Sequence, residues 1–182
     1  MELKMSRIKP WSKGFRDVRR LLLTQFPRDE LYPVWALRLI TLKKNVDCTV
    51  FHEGDRFAGF YYLLLSDRTV FLLYSAVDPD LQSRGYGAAI QKALRERYAG
   101  REIVCHIEAP GKETPETEQP VRRLRFYERN GYAFTGYKTE DKGVRYWVMS
   151  TRGRDFDRES YEKLFRDMEG DKGVPELEWA GD

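Results

Sequence analysis

Cysteine and histidine are scarce, with two of each in 182 residues. Cys48 and Cys105 stand far apart without a Cys-x-x-Cys pair, and His52 and His106 have no helical ligand spacing, which argues against a disulfide framework and a structural zinc site. Long hydrophobic runs are also missing. The longest, Phe57–Leu65, spans nine residues, against the ~20 needed to cross a bilayer. Met1-Glu2-Leu3-Lys4-Met5 lacks the apolar core of a secretory signal, so the expectation is a cytoplasmic protein with no membrane partner and no metal. A dominant charge is absent too: 32 Lys and Arg against 29 Asp and Glu leave +3, too little to demand a nucleic acid. Arg122, Arg123, Arg125 and Arg129 read more simply as a solvated helix face. What the chain does have is 41% hydrophobic and 14% aromatic content, enough for one real core without staples and too much for disorder.

Periodicity divides the chain into alternating strands and helices. Lys4 to Lys9 is a weak first strand. Phe15, Val18, Leu21, Leu22 and Phe26 recur at helical spacing after Ser12, a plausible cap, and Pro27 stops that helix. Pro33 suits the first turn of a second helix with Val34, Leu37, Ile40 and Leu42. Cys48–Glu53 and Arg56–Leu65 flank Gly54-Asp55 as a hairpin, and Val70–Val77 is apolar on both faces, as in a strand covered on both sides. Ala89, Ile90, Ala93, Leu94 and Tyr98 then form a helical stripe ending at Gly100, followed by a strand from Glu102 to Glu108. The proline-rich, net acidic stretch 110–120 is a loop. Val121–Asn130 reads as a helix closed by Gly131, and Tyr132–Thr139 and Val144–Ser150 as a pair of strands. Tyr161, Leu164, Phe165 and Met168 mark a last helix over 157–169, capped by Asp157. The expected class is α+β.

The informative stretch is Val77-Asp78-Pro79-Asp80-Leu81-Gln82-Ser83-Arg84-Gly85-Tyr86-Gly87-Ala88-Ala89, a buried strand, a turn, paired glycines and a helix. Glycines at a helix start let backbone approach a ligand closely, and the unpaired N–H groups there attract phosphate. A dinucleotide fingerprint would need Gly or Ala where Ile90 stands, and a P-loop would need a Gly-Lys-Ser/Thr ending. Both are excluded. The alternative is a glycine-bearing helix start that binds nothing.

Gln82-x-x-Gly85-x-Gly87-Ala88 after Ala76-Val77-Asp78-Pro79 resembles the acetyl-CoA motif of the GCN5-related N-acetyltransferase (GNAT) superfamily. Phe126-Tyr127-Glu128-Arg129-Asn130-Gly131-Tyr132 resembles the same family's tyrosine-bearing helix and following strand. The resemblance covers residues 1–150 as one domain, with 151–182 as a helical extension packed on it. It implies a mixed, mostly antiparallel central sheet flanked by helices, in which the strands at 70–77 and 102–108 run parallel and splay apart around coenzyme A. Backbone groups of Ser75, Ala76 and Val77 would pair with the pantetheine arm. Gln82, Ser83, Arg84, Gly85, Tyr86, Gly87 and Ala88 would make the pyrophosphate cradle.

In such enzymes an amine attacks the thioester directly and the departing thiolate takes a proton. Tyr127 matches the family's acid; read from periodicity alone it is a core tyrosine on the face of Val121 and Leu124. The strand position where some relatives carry a glutamate base holds Phe71 here. Glu108 is the preferred substitute, His106 the second choice, and a water chain a third route. The family's Asn-x-x-Ala helix opening is replaced by Gln119-Pro120-Val121-Arg122-Arg123, which weakens any borrowed asparagine contact. The resemblance therefore implies an acetyl-CoA-dependent N-acetyltransferase acting on a small-molecule or protein amine. The absent glutamate leaves a non-catalytic acyl-CoA-binding regulatory module as the alternative, and the arginine-bearing helix leaves a nucleic-acid binder as a weaker one. Trp11, Trp35, Trp147 and Trp179 leave room for a homodimer contact beside a monomer.

Overall fold

The structure is a computed structural model that describes residues 2–28, 30–111, 115 and 118–181; part of the expected acidic loop, including Glu113 and Glu116, lies outside the described residues. Among the described residues, eight strands and five α-helices follow one another as β1 (Lys4–Arg7), α1 (Phe15–Gln25), α2 (Val34–Ile40), β2 (Val46–Glu53), β3 (Arg56–Leu65), β4 (Thr69–Val77), α3 (Tyr86–Arg97), β5 (Glu102–Glu108), α4 (Gln119–Arg129), β6 (Ala133–Asp141), β7 (Val144–Ser150), α5 (Arg158–Glu169) and β8 (Glu178–Trp179). This is the mixed, mostly antiparallel α+β architecture that the sequence pattern implies. Contacts group the chain into two compact units, Met1–Leu65 with Leu72–Ala99, and Ser66–Phe71 with Gly100–Asp182.

In the first unit the strand order is β1-β2-β3-β4. β1 and β2 pair antiparallel, as do β2 and β3, with an irregularity between Phe51 and His52. The expected hairpin turns at Gly54, whose φ of +59° needs glycine. Residues 58–64 of β3 are buried without alternation, the pattern of a strand covered on both faces. Val18, Leu21 and Leu22 of α1 and Ile90 and Leu94 of α3 supply apolar cover and are themselves buried. Tyr62, deep in β3, keeps its hydroxyl satisfied by donating to the Leu37 carbonyl of α2 at 2.7 Å.

Ser12 does not cap α1. Gly14 holds that position, while Ser12 Oγ accepts from Lys9 N at 2.9 Å and closes the turn before the helix. Leu42 lies beyond the end of α2 and is exposed.

The second unit orders its strands as the opening of β4, then β5-β7-β6-β8. β5 begins beside β4, with Glu102 N donating to the Arg68 carbonyl at 2.9 Å. The β5–β7, β6–β7 and β6–β8 pairs are antiparallel. The short β8 escaped the sequence pattern because two residues carry no periodicity. The closing helix docks as the stripe requires: Tyr161, Leu164 and Phe165 are buried, and Asp157 caps α5 by accepting from Ser160 N at 3.1 Å. Glu102, fully buried, accepts from Ser150 Oγ and from Asp157 N, binding two strand ends to the helix cap.

His106 sits inside this unit's aromatic cluster. Its ring lies 4.8 Å from Phe71 and stacks on Phe165, and Nε2 is 2.8 Å from the Tyr161 hydroxyl. Burial pushes its pKa down to about 4, so it is neutral at pH 7. An unfolded histidine titrates near 6.5. Between those values the unfolded chain binds more protons than the folded one, so stability falls as pH drops through that window. Asp157 acts lower still: burial raises its carboxyl, but the Ser160 N–H and Arg68 outweigh it and hold it below the ordinary range. We expect the urea midpoint of the wild type to fall from pH 7 to pH 5 and that of His106→Asn to fall distinctly less. Equal losses would contradict a buried neutral imidazole.

Candidate active site

The ten residues that match the cofactor motif come together within the first unit. β4 is buried through Leu72, but Ser75, Ala76 and Val77 are only half-buried. This is where a strand with a covered interior begins to present its backbone. Asp78 ends it. Its carboxylate accepts from Asp80 N at 3.2 Å, capping the single 3-10 turn Pro79–Leu81, and from Arg20 of α1 at 2.7 Å. Burial alone would raise the Asp78 carboxyl, but the Arg20 guanidinium and the Asp80 amide outweigh it and hold the group below its ordinary value. The carboxylate therefore stays charged and the turn stays capped.

Beyond the turn, Gln82 leans back toward the Val77 carbonyl at 3.4 Å. Ser83 (φ +61°) and Gly85 (φ +87°) both lie in the left-handed region on either side of Arg84. A non-glycine residue held there is strained, a feature common at ligand-binding loops. The turn delivers Gly85 as the N-cap of α3, and no side chain caps that helix. A Cβ at Gly85 would meet nothing within 4 Å, so the glycine is needed for its backbone angle and for the open space in front of the helix. The first amides of α3 thus lie among exposed Arg84, Gly85 and Ala88 with no side chain capping them, a donor set suited to a pyrophosphate. Tyr86 turns the other way, is buried as a residue, and donates to Glu53 at 2.5 Å.

Gly59 was invisible to motif reading. It lies on β3 facing the half-buried end of β4, and a Cβ there would stand 2.4 Å from the Ala76 carbonyl oxygen and 3.2 Å from Val77 Cα. Only hydrogen fits, so Gly59 sets how closely β4 approaches at the residues matched to the pantetheine arm. The signal in the sequence was a lone glycine inside a run of aromatics and aliphatics, which marks close backbone approach.

The two catalytic candidates belong to the second unit. Tyr127, near the end of α4, is partly exposed as a residue, but burial of its hydroxyl end pushes the phenol well above its ordinary pKa; the nearby Cys105 thiol adds to this and Arg123 opposes it. The ring packs edge-on to Phe126 and Tyr132. Glu108 is the exposed last residue of β5. The β5–β7 register is regular over 104–108, so alternation puts Glu108 on the face of His106, opposite the Cys105 face beside Tyr127. The two candidates do not share a strand face. His106 is enclosed in its aromatic cluster with a tyrosine partner. Gln119 opens α4, and Arg123 points toward Cys105 closely enough to be felt electrostatically. Among the described residues no group of three His, Cys, Asp or Glu side chains is placed to hold a metal ion.

A Cβ at Gly59 must move Ala76 or Val77. Gly59→Ala is expected to weaken acetyl-CoA binding about tenfold or more, given how steeply misplacement costs. Gly14→Ala, whose Cβ would meet only ordinary contacts at 3.4–3.5 Å, should leave it unchanged. Calorimetric titration of both variants checks this.

Residues 44–133 match the family model of the acetyltransferase (GNAT) domain. No curated protein matches the sequence. Among solved structures, a protein from Bacteroides thetaiotaomicron described as belonging to the GNAT family superposes with a TM-score of 0.74 at 23% identity, covering 92% of this chain and 98% of its own. The ribosomal-protein-S18-alanine N-acetyltransferase of Escherichia coli gives 0.62 at 13% identity, over 82% and 92%. A Bacillus subtilis acetyltransferase in complex with CoA gives 0.55 at 17%, over 82% and 97%. At these identities the superpositions establish the fold. The family model lies over β2 to the end of α4, the segment that carries both the uncapped start of α3 and Tyr127, and over that segment the chain is similar to the acetyltransferase (GNAT) domain.

Proposed function

We propose that the protein is an acetyl-CoA-dependent N-acetyltransferase that moves an acetyl group to a primary amine by direct attack in a ternary complex. The observation that carries this reading is the uncapped N-terminus of α3 behind the left-handed Ser83 and Gly85. That arrangement leaves backbone donors free for a pyrophosphate, and nothing in a purely structural turn requires it. Amides from Arg84 to Ala88 hold the pyrophosphate, with Gln82 and Ser83 shaping the turn. The half-buried edge Ser75-Ala76-Val77 pairs with the pantetheine arm. Acetyl-CoA is a co-substrate, and no metal takes part.

Transfer requires the amine nitrogen to bond to the thioester carbonyl carbon, the carbon–sulfur bond to break, and two protons to be placed. The attacking nitrogen loses one, for which Glu108 is the proposed acceptor, reached through water since it lies on the other face of β5 from Tyr127. The departing sulfur gains the other. A phenol whose pKa burial has raised holds its proton at any physiological pH. Tyr127 is therefore always a donor, although Brønsted logic makes it a weak source of a full proton. Its proposed part is a hydrogen bond that stabilises the developing thiolate, with transfer completed as the sulfur leaves.

The acceptor is a small-molecule or protein amine. A protein amine is the acceptor that the E. coli neighbour's name states. The protein works as a monomer or homodimer and is proposed to be cytoplasmic; no helix among the described residues is long and apolar enough to cross a membrane. A non-catalytic acyl-CoA-binding module is the second reading, favoured by Phe71 at the position where some relatives carry a base.

Turnover against a panel of amines separates the two. Tyr127→Phe should lower kcat about 100-fold with KM for acetyl-CoA little changed. Absence of turnover by folded, acetyl-CoA-bound wild type would leave the binding module.

A further inference from the structure

The first unit exposes an apolar face that neither the cradle nor the core uses. Trp11, Trp35, Leu39 and Leu42 are exposed to 73%, 70%, 53% and 52%. Trp35, Leu39 and Leu42 stand at i, i+4 and i+7, the spacing of one helical face, and Leu42 N donates to the Leu39 carbonyl at 3.1 Å, so the turn persists past the end of α2. Leu37 points the other way and is buried. Trp11 borders the same helix. Arg38 Nε donates to the Pro10 carbonyl at 2.6 Å and Lys9 Nζ to the Thr41 carbonyl at 3.4 Å, so residues 9–11 run alongside α2.

The rim of this face is basic. Lys9, Arg38, Lys43 and Lys44 lie on or beside α2, exposed Lys13 follows Trp11 by two residues, and residues 1–44 carry eleven Lys and Arg against four Asp and Glu. The remaining 138 residues carry 21 against 25. The near-neutral total therefore conceals a strongly cationic end of the sequence.

We propose that this face attaches the protein peripherally to an anionic lipid bilayer. Two indoles and two leucines on and beside a short helix, with lysines beyond its end, form the pattern of an interfacial segment: apolar side chains enter the boundary between headgroups and acyl chains, and cations meet the lipid phosphates. Side chains lining a protein-binding groove would be half-buried, whereas these project. Self-pairing would bring two cationic rims together. Single-stranded nucleic acid stacks on aromatic rings and has no use for Leu39 and Leu42. The composition-based expectation of no membrane partner concerned spanning segments, and surface attachment needs none.

Co-sedimentation with vesicles tests this, using phosphatidylcholine alone and phosphatidylcholine with phosphatidylglycerol, at low and high salt. The wild type should sediment with the phosphatidylglycerol vesicles at low salt only, with a blue shift of tryptophan emission. Lys43→Glu/Lys44→Glu should weaken binding about tenfold or more. Trp35→Ser/Leu39→Ser should abolish it without lowering the melting temperature, because both side chains are exposed. The proposal would be overturned by folded wild type that does not sediment, by binding indifferent to both double variants, or by light scattering that shows a dimer converted to monomer by Trp35→Ser/Leu39→Ser. Preference for polyglutamate over the vesicles would also overturn it, in favour of an acidic protein partner.

Discussion

The end of β4 is where the first unit must stop burying its backbone and begin presenting it. Through Leu72 the strand is covered, and its amides and carbonyls belong to the sheet. By Val77 they are half-exposed, and within eight residues the chain has reversed into the start of α3. Gly59, Asp78 and Gly85 solve successive parts of that problem. Gly59 permits the close approach of the Ala76 carbonyl. Asp78, held charged by Arg20, caps the turn. Gly85 supplies the left-handed angle that points the helix start outward. Gly59 and Gly85 act through the backbone itself, and Asp78 through a side chain that Arg20 holds in place.

The second unit is organised around burial of a different kind. β5 carries buried Ile103, Cys105 and Ile107 on one face, and on the other buried Val104 and the His106 ring within its aromatic cluster, with Glu108 exposed at the end. The cost of burying an imidazole is met by neutrality and by one hydrogen bond to Tyr161. The same burial that silences His106 keeps the Tyr127 phenol protonated. One physical effect, desolvation, removes a candidate base and suits a candidate hydrogen-bond donor.

Much of this was legible in the sequence. The hairpin, β4, β5 and the α5 cap follow from alternation, helical spacing and local turn chemistry, and β5 and β7 coincide with their expected bounds. The paired glycines were legible as the start of a helix, and Gly85 is the N-cap of α3; their part in a cofactor cradle is a proposal. What escaped depended on partners distant in sequence. Gly59 matters only because Ala76 lies over it, and Arg20 only because Asp78 reaches it. Ser12 was misread as a helix cap because its side chain satisfies an earlier amide, a choice between two local bonds that sequence spacing does not decide. The basic, apolar end of the chain was hidden by averaging charge over the whole length.

The most direct test of the account is calorimetric titration of acetyl-CoA into the purified wild type and Gly87→Val, which places bulk among the first amides of α3. The account predicts saturable binding at a single site by the wild type and its loss in the variant, with the fold retained. Absence of binding by the folded wild type, or equal binding by both proteins, would contradict the assignment of the helix start as the cofactor cradle.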